Sequence, residues 1–182
     1  MRRAMDDYDT PAWVTEALLA NYPLMAGNIL EPCAGSGAII EVLRRHRPGS
    51  RITAVEIRET ERGRLKSLAD RVHIADFLTW KPEGEYGTII TNPPFCIAQE
   101  VIERCFSFRP QAGEIVMLLR LGFLESKKRV EFWRKYPLSE LLVITPRPSF
   151  DGAGSDKTAY GWFVWNSNEG QRIKVITRRA AS

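Results

Sequence analysis

Asn28-Ile29-Leu30-Glu31-Pro32-Cys33-Ala34-Gly35-Ser36-Gly37-Ala38-Ile39-Ile40 joins an apolar run ending in a carboxylate to a glycine turn and then to a second apolar segment. The order reads as strand, turn and helix (38–45), the nucleotide-binding opening of a doubly wound sheet. Gly35 and Gly37 let the backbone approach a ligand closely, and the helix N-terminus behind them presents unpaired N–H groups. No lysine closes the turn, so it is not a phosphate-binding P-loop. Cys33, Gly35 and Ala38 keep the spacing of GxGxxA without its first glycine, which makes the dinucleotide fingerprint partial.

Downstream, strands alternate with helices. A second strand, 51–56, ends in Glu56, and a polar helix follows at 59–69. An acidic residue at that strand tip takes the ribose hydroxyls of an adenosine-containing ligand in such folds; a solvated charge at a strand end is the alternative. Val72-His73-Ile74 is a third strand, followed by Asp76 and Phe77, which suit an adenine amino group and ring face, although Phe77 also reads as core. The fourth strand, 86–91, runs into Asn92-Pro93-Pro94-Phe95. Neither proline has an N–H, and Pro94 drives Pro93 towards an extended conformation, so the turn is stiff. It delivers an amide, a proline carbonyl and a flat ring to one point, which suits an amine; an ordinary turn is the plain alternative.

A helix at 97–106, a fifth strand at 114–119, a helix at 123–136 and strands at 141–144 and 161–165 complete the pattern. A mostly parallel sheet with helices on both faces is expected, with ligands beyond the strands' carboxyl ends. That rule gathers Glu31, Gly35, Glu56, Asp76 and Asn92 along one edge. Ahead of the first strand, Thr10 and Pro11 open a helical pattern, with Thr10 as N-cap and Pro11 at the first helical position.

The chain of 182 residues, 44% apolar and 26% charged, fits one domain (1–182), with flexible ends at 1–9 and 170–182. No apolar run approaches the roughly 20 residues that cross a bilayer, and the basic start has no apolar stretch behind it, so a cytoplasmic protein is expected. Cys33, Cys96 and Cys105 lack CxxC spacing, and His46 and His73 stand alone, so neither a disulfide framework nor a metal site is expected. The net charge of +4 favours polyanions mildly, with its excess in the second half: Lys127-Lys128-Arg129, Arg134-Lys135 and 172–179. Basic charge at the start of the 123–136 helix opposes the helix dipole and hints at an anionic ligand, a solvated face being the other reading. The loop 146–157 offers Phe150 as a stacking surface or anchor and Lys157 as a phosphate contact or exposed charge.

TPAWVTEALL, ILEPCAGSGAI, VEI, ADF and TNPPF, in this order, resemble the class I S-adenosylmethionine-dependent methyltransferases, in particular the small DNA adenine-N6 methyltransferases of phage and prophage type. The resemblance spans roughly 8–166. It implies a Rossmann-like, doubly wound, mostly parallel seven-stranded sheet with an antiparallel seventh strand beside the fifth. It implies S-adenosylmethionine as cofactor. Glu31, Pro32, Cys33, Ala34, Gly35 and Gly37 would hold its methionine and ribose, Glu56 with Ile57 beside it the ribose, Asp76 and Phe77 the adenine, and Thr10 and Pro11 the methionine end. Asn92, Pro93 and Phe95, braced by Pro94, would hold the target base. A nucleic acid would be the partner, DNA favoured over RNA, contacted by Lys127, Lys128, Arg129, Phe150 and Lys157, with no separate target-recognition domain and specificity from the 146–158 loop, RNA shape or a partner protein. Ribosomal-RNA base-amine and protein-glutamine methyltransferases carry similar motifs. Outside the transferases, a nicotinamide-dependent oxidoreductase or a non-catalytic nucleic-acid-binding module are the alternatives.

Overall fold

The computed structural model describes residues 9–108, 113–150, 157–167 and 170–178. Strand β5 (Glu114–Arg120) lies inside the sheet, and its apolar run splits residue by residue between two cores. Val116 and Leu118 enter one core, Ile115, Met117 and Leu119 the other. The same alternation divides Ile89 from Ile90 in β4 (Thr88–Thr91) and Trp162 from Phe163 in β7 (Tyr160–Trp165). Continuous apolar runs are therefore what this sheet requires, because both of its faces are covered.

One core is closed by α1 (Ala12–Asn21), α2 (Ala38–His46) and α3 (Arg62–Leu68), through Val14, Leu18, Ile39, Ile40, Leu43 and Leu65. The other is closed by α4 (Ala98–Phe106) and α5 (Val130–Lys135), through Val101, Ile102, Cys105 and Phe132. The indole N–H groups of the two large β7 side chains are satisfied by backbone: Trp162 donates to the Val14 carbonyl at 3.1 Å and Trp165 to that of Tyr136 at 3.1 Å.

With β1 (Ile29–Glu31), β2 (Ile52–Glu56), β3 (Arg71–Ile74), β6 (Glu140–Thr145) and β8 (Arg172–Thr177), the sheet has eight strands in the order β3-β2-β1-β4-β5-β7-β6-β8. The pairs from β3 to β5 are parallel, and β7 runs antiparallel to both β5 and β6. The expected doubly wound sheet with an antiparallel strand beside the fifth is thus present. Strand order reverses at β1 and β4, so a crevice opens beyond their carboxyl ends. At the opposite edge, buried Glu114 accepts hydrogen bonds from Tyr22 Oη at 2.6 Å, Thr88 Oγ1 at 2.7 Å and the Met25 N–H at 2.6 Å.

Three local expectations need correction. The first helix begins one residue late, with Pro11 as N-cap and no side-chain cap; the Thr10 hydroxyl is engaged elsewhere. The 123–136 helix is broken into tight turns at Leu121–Phe123 and Lys127–Arg129 before the six-residue α5. Ser126, extended at φ −71° and ψ 120°, interrupts it. Finally, 172–177 is an ordered eighth strand, parallel to β6, where a flexible end was expected. Its β-branched alternation, Ile173, Val175 and Thr177, was a strand signal, but only Ile176 is buried, so the core pattern is weak. No helix among the described residues is long and apolar enough to cross a membrane.

Candidate active site

A cavity of about 310 Å³ lies where β1, β2, β3 and β4 end. Thr10, Glu31, Pro32, Cys33, Ala34 and Gly35 line it, as do Glu56, Ile57, Asp76, Phe77, Asn92 and Pro94. Twelve separate readings along the sequence thus converge on one space. Pro11, Gly37, Pro93 and Phe95 lie outside that wall, as do Lys127, Lys128, Arg129, Phe150 and Lys157. Sequence reasoning missed Asp9, Arg58, Leu78 and Cys96, all of which line the cavity. Arg58 could have been suspected from its position two residues past the Glu56 strand tip.

The glycine turn is held by Ala34 donating to Val55 O at 3.0 Å and Gly37 donating to Ala34 O at 2.8 Å. Both glycines are left-handed, Gly35 at φ 55° and Gly37 at φ 86°. Gly37 faces the helices: a Cβ there would lie 2.8 Å from Leu68 Cδ1 and 3.1 Å from Leu65 Cδ2. It lets α2 pack closely on α3, and it does not line the cavity. Gly35 meets only Arg58 Nη2, at 3.6 Å, and its N–H donates to Glu56 Oε2 at 2.7 Å.

Glu56 also accepts, at Oε1, the Arg58 N–H at 2.9 Å and Arg58 Nε at 3.0 Å. The carboxylate at the β2 tip is therefore buried, aimed by a backbone amide and paired with a cation, and is not a solvated strand-end charge. Glu31 differs. It is 2% exposed, and its Oε2 has no hydrogen-bond partner among the described residues. Burial, and then the neighbouring Glu56 charge, push its carboxyl well above the ordinary range. The Cys33 thiol is likewise pushed up, by burial and then by Glu56, Glu31 and Asp76, so it does not supply a thiolate.

Asp76 aims one oxygen at its own turn, Oδ1 accepting the Leu78 N–H at 3.0 Å. Phe77 packs in the second core, 5.9 Å from Phe108, and also lines the cavity. Asn92 follows β4, the parallel neighbour of the strand that leads into the glycine turn, and lines the cavity. Its Nδ2 donates to Thr10 Oγ1 at 3.2 Å, which leaves Oδ1 buried and without a partner among the described residues. The next turn is tightened by Ile97 donating to Pro94 O at 3.0 Å.

Phe95 points towards a separate aromatic group. The Arg120 guanidinium lies 4.3 Å from its ring centre, Tyr160 is 5.9 Å away, and Phe150 packs 4.8 Å from Tyr160. Phe150, from the long loop, is thereby brought beside the NPPF turn. Arg129 is occupied structurally, 4.1 Å over Phe123 with Nη1 donating to Phe123 O at 3.4 Å, whereas Lys127 and Lys128 are exposed. The Lys157 carbonyl accepts from Arg147 Nη1 at 3.1 Å. Among the described residues no group of three His, Cys, Asp or Glu side chains could hold a metal.

No family model matches the chain. It is 32% identical, over 55% of its length and 32% of the relative's, to the type II methyltransferase M.CvrRI of Paramecium bursaria Chlorella virus XZ-6E. It is 34% identical, over 44% of its length and 25% of the relative's, to ribosomal RNA small subunit methyltransferase C of Aeromonas hydrophila subsp. hydrophila. The matches thus span about a third or less of these curated relatives. Among solved structures, the M protein of the type I restriction enzyme EcoKI superposes with a TM-score of 0.66 at 14% identity, over 88% of this chain and 44% of that one. The 23S rRNA methyltransferase ErmE does so at 0.62 and 17% identity, over 91% and 73%.

Sheet order, switch-point cavity and these likenesses together define the class I S-adenosylmethionine-dependent methyltransferase fold, with a partial sequence resemblance to a type II methyltransferase and a ribosomal RNA methyltransferase. The residues present fit S-adenosylmethionine. The cavity has the size of a small-molecule site, apolar walls at Ile57 and Phe77, a paired carboxylate at Glu56 and an unpartnered buried carboxyl at Glu31.

Proposed function

We propose that this chain transfers a methyl group from S-adenosylmethionine to the exocyclic amine of adenine in a nucleic acid, with DNA as the favoured acceptor. The observation that carries the reading is Asn92 Oδ1, a buried acceptor without a partner among the described residues, fixed in orientation by the Thr10 hydroxyl. A buried acceptor left unpaired costs about 1–3 kcal/mol, so it marks a place where a donor arrives.

Adenine's amine is a weak nucleophile because its lone pair is delocalised into the ring. The Asn92 side-chain oxygen and the Pro93 carbonyl accept its two N–H groups and draw the nitrogen towards tetrahedral geometry. The lone pair then faces the cavity, where the cofactor supplies a methyl group activated by a sulfonium. The N–C bond forms as the C–S bond breaks, the electron pair leaves with sulfur, and the surplus amine proton passes to water. Positioning and electrostatics suffice, so no nucleophilic side chain is called for. Phe95, with Tyr160 and Phe150 beside it, supplies aromatic surface for an extruded base, where stacking contributes about 1–3 kcal/mol.

Glu56, Glu31 and the glycine turn hold the cofactor in this reading, and Asp76 and Phe77 its adenine. Exposed Lys127 and Lys128 beyond the β5 end, and Lys157, supply phosphate contacts. The whole chain acts as one catalytic domain. The likeness to a small-subunit ribosomal RNA methyltransferase supports a second reading, a base amine in structured RNA as acceptor.

The test is transfer of labelled methyl from S-adenosylmethionine to single-stranded DNA, duplex DNA, total RNA and bulk protein, with Asn92→Ala as control. Label recovered as N6-methyladenine in DNA is expected. Label confined to RNA selects the second reading, and label confined to protein overturns both.

A further inference from the structure

Glu56, at the carboxyl end of β2, accepts the Gly35 N–H on Oε2 at 2.7 Å, and on Oε1 both the Arg58 N–H at 2.9 Å and Arg58 Nε at 3.0 Å. A carboxylate offers about four acceptor positions, so roughly one is left, on Oε2. The two hydroxyls of a ribose diol bring two donors, and the acceptors fall one short. Two of the donors already present are backbone N–H groups, of the glycine turn and of the chain leaving β2, and they cannot withdraw without unmaking the turn. The Arg58 side chain can withdraw.

The same guanidinium covers the bare face of Gly35. A Cβ built there would have Arg58 Nη2 as its neighbour, at 3.6 Å, and Gly35, Glu56 and Arg58 all line the cavity. The side where a glycine lets a ligand come close is thus already faced by a side chain of the protein itself. A second carboxylate stands ready for that side chain. Glu61 Oε1 lies 3.9 Å from Arg58 Nη1, beyond hydrogen-bond length, while Arg62 pairs with Glu59 at 2.9 Å.

We propose that Arg58 is a latch on the ribose subsite: its side chain holds Glu56 in the ligand-free protein and passes to Glu61 when a ribose diol arrives. The inference rests on the cofactor reading given above. Arg58 Nε gives up Glu56 Oε1, and the freed position together with the one on Oε2 accepts the two hydroxyls. Arg58 Nη1 closes the gap to Glu61. Neither Arg58 nor Glu56 is without partners in either state, which keeps the exchange inexpensive. Because the latch must open, apparent affinity for a diol is reduced by the fraction of molecules in which it is open. A ligand with a single ribose hydroxyl needs only the position already left on Oε2, and leaves the latch closed.

The experiment is calorimetric titration of the full chain with S-adenosylhomocysteine, an unreactive relative of the cofactor, and with its 2′-deoxy analogue. The native chain is compared with Arg58→Met and Glu61→Gln. S-adenosylhomocysteine is expected to bind Arg58→Met tighter than the native chain by roughly threefold to tenfold, the scale of one hydrogen bond's net contribution, and Glu61→Gln more weakly by a similar factor. The deoxy analogue is expected to bind all three chains within about twofold of one another, as uncoupled groups do. Weaker binding of S-adenosylhomocysteine to Arg58→Met makes Arg58 a plain cofactor contact and overturns the latch. Equal shifts for both ligands, the mark of a merely structural role, overturn it too, as does unchanged affinity for S-adenosylhomocysteine in either variant. If Arg58→Met fails to fold, Glu61→Gln decides alone, since a loss confined to the diol ligand requires Arg58 to need that second carboxylate. If neither ligand binds the native chain, the cofactor reading itself falls and takes the proposal with it.

Discussion

Asn92 and Thr10, 82 residues apart in the chain, meet through a 3.2 Å hydrogen bond from Nδ2 to Oγ1. That contact occupies the amide nitrogen and leaves Oδ1 buried and without a partner among the described residues. Thr10, expected as a helix cap, instead accepts a hydrogen bond from the NPPF turn.

Asn92→Ala is expected to abolish methyl transfer while changing S-adenosylhomocysteine affinity by less than about threefold. Thr10→Val is expected to lower kcat by about fivefold, the equivalent of a single neutral hydrogen bond of about 1 kcal/mol. Single-turnover transfer and equilibrium binding, measured on the same preparations, check both. Equal losses of binding and transfer in Asn92→Ala would make the turn structural.

Phe95 is outside the cavity wall, and its ring carries the Arg120 guanidinium at 4.3 Å. Phe95→Leu should therefore raise acceptor KM by roughly fivefold to a hundredfold, following the 1–3 kcal/mol range of base stacking, with cofactor affinity unchanged. Steady-state kinetics on a short oligonucleotide separate the two terms. A cofactor effect of the same size would place Phe95 in the wrong site.

Gly37→Ala combines a positive φ of 86° with a Cβ 2.8 Å from Leu68 Cδ1. Backbone strain and overpacking together are expected to cost about 2–4 kcal/mol. Urea denaturation should report this as a lower midpoint at an unchanged slope. Leu68→Ala in the same chain should recover part of the loss, since it removes the clash but not the strain.

Tyr22 donates to buried Glu114 at 2.6 Å, and burial, followed by the Glu114 hydrogen bond, raises its phenol above the ordinary value of 10.0. The folded chain therefore keeps the proton that the unfolded chain gives up. The associated stability is complete below pH 10.0 and is lost as pH rises from there through the folded-state value. Denaturation midpoints should fall above about pH 10 in the native chain. Tyr22→Phe, less stable at neutral pH, should lack that extra fall.

Much of this was written in local sequence. Apolar runs such as EIVMLLR and YGWFVW announce strands covered on both faces, and their alternation with helices implies a parallel sheet, so Glu31, Glu56, Asp76 and Asn92 share an edge because each ends a strand or follows it within two residues. Periodicity and chain direction carry that information, and both belong to short segments. Decided only in three dimensions were the Thr10 partnership of Asn92, the hold of Arg58 on Glu56, the turning of Gly37 to Leu68 and the Arg120 cover on Phe95. So was the eighth strand, whose single buried residue, Ile176, leaves almost no core signature. The physical reason is common to all of them. Which side chains pair across elements depends on register and packing between segments, and no residue's local pattern encodes its distant neighbour.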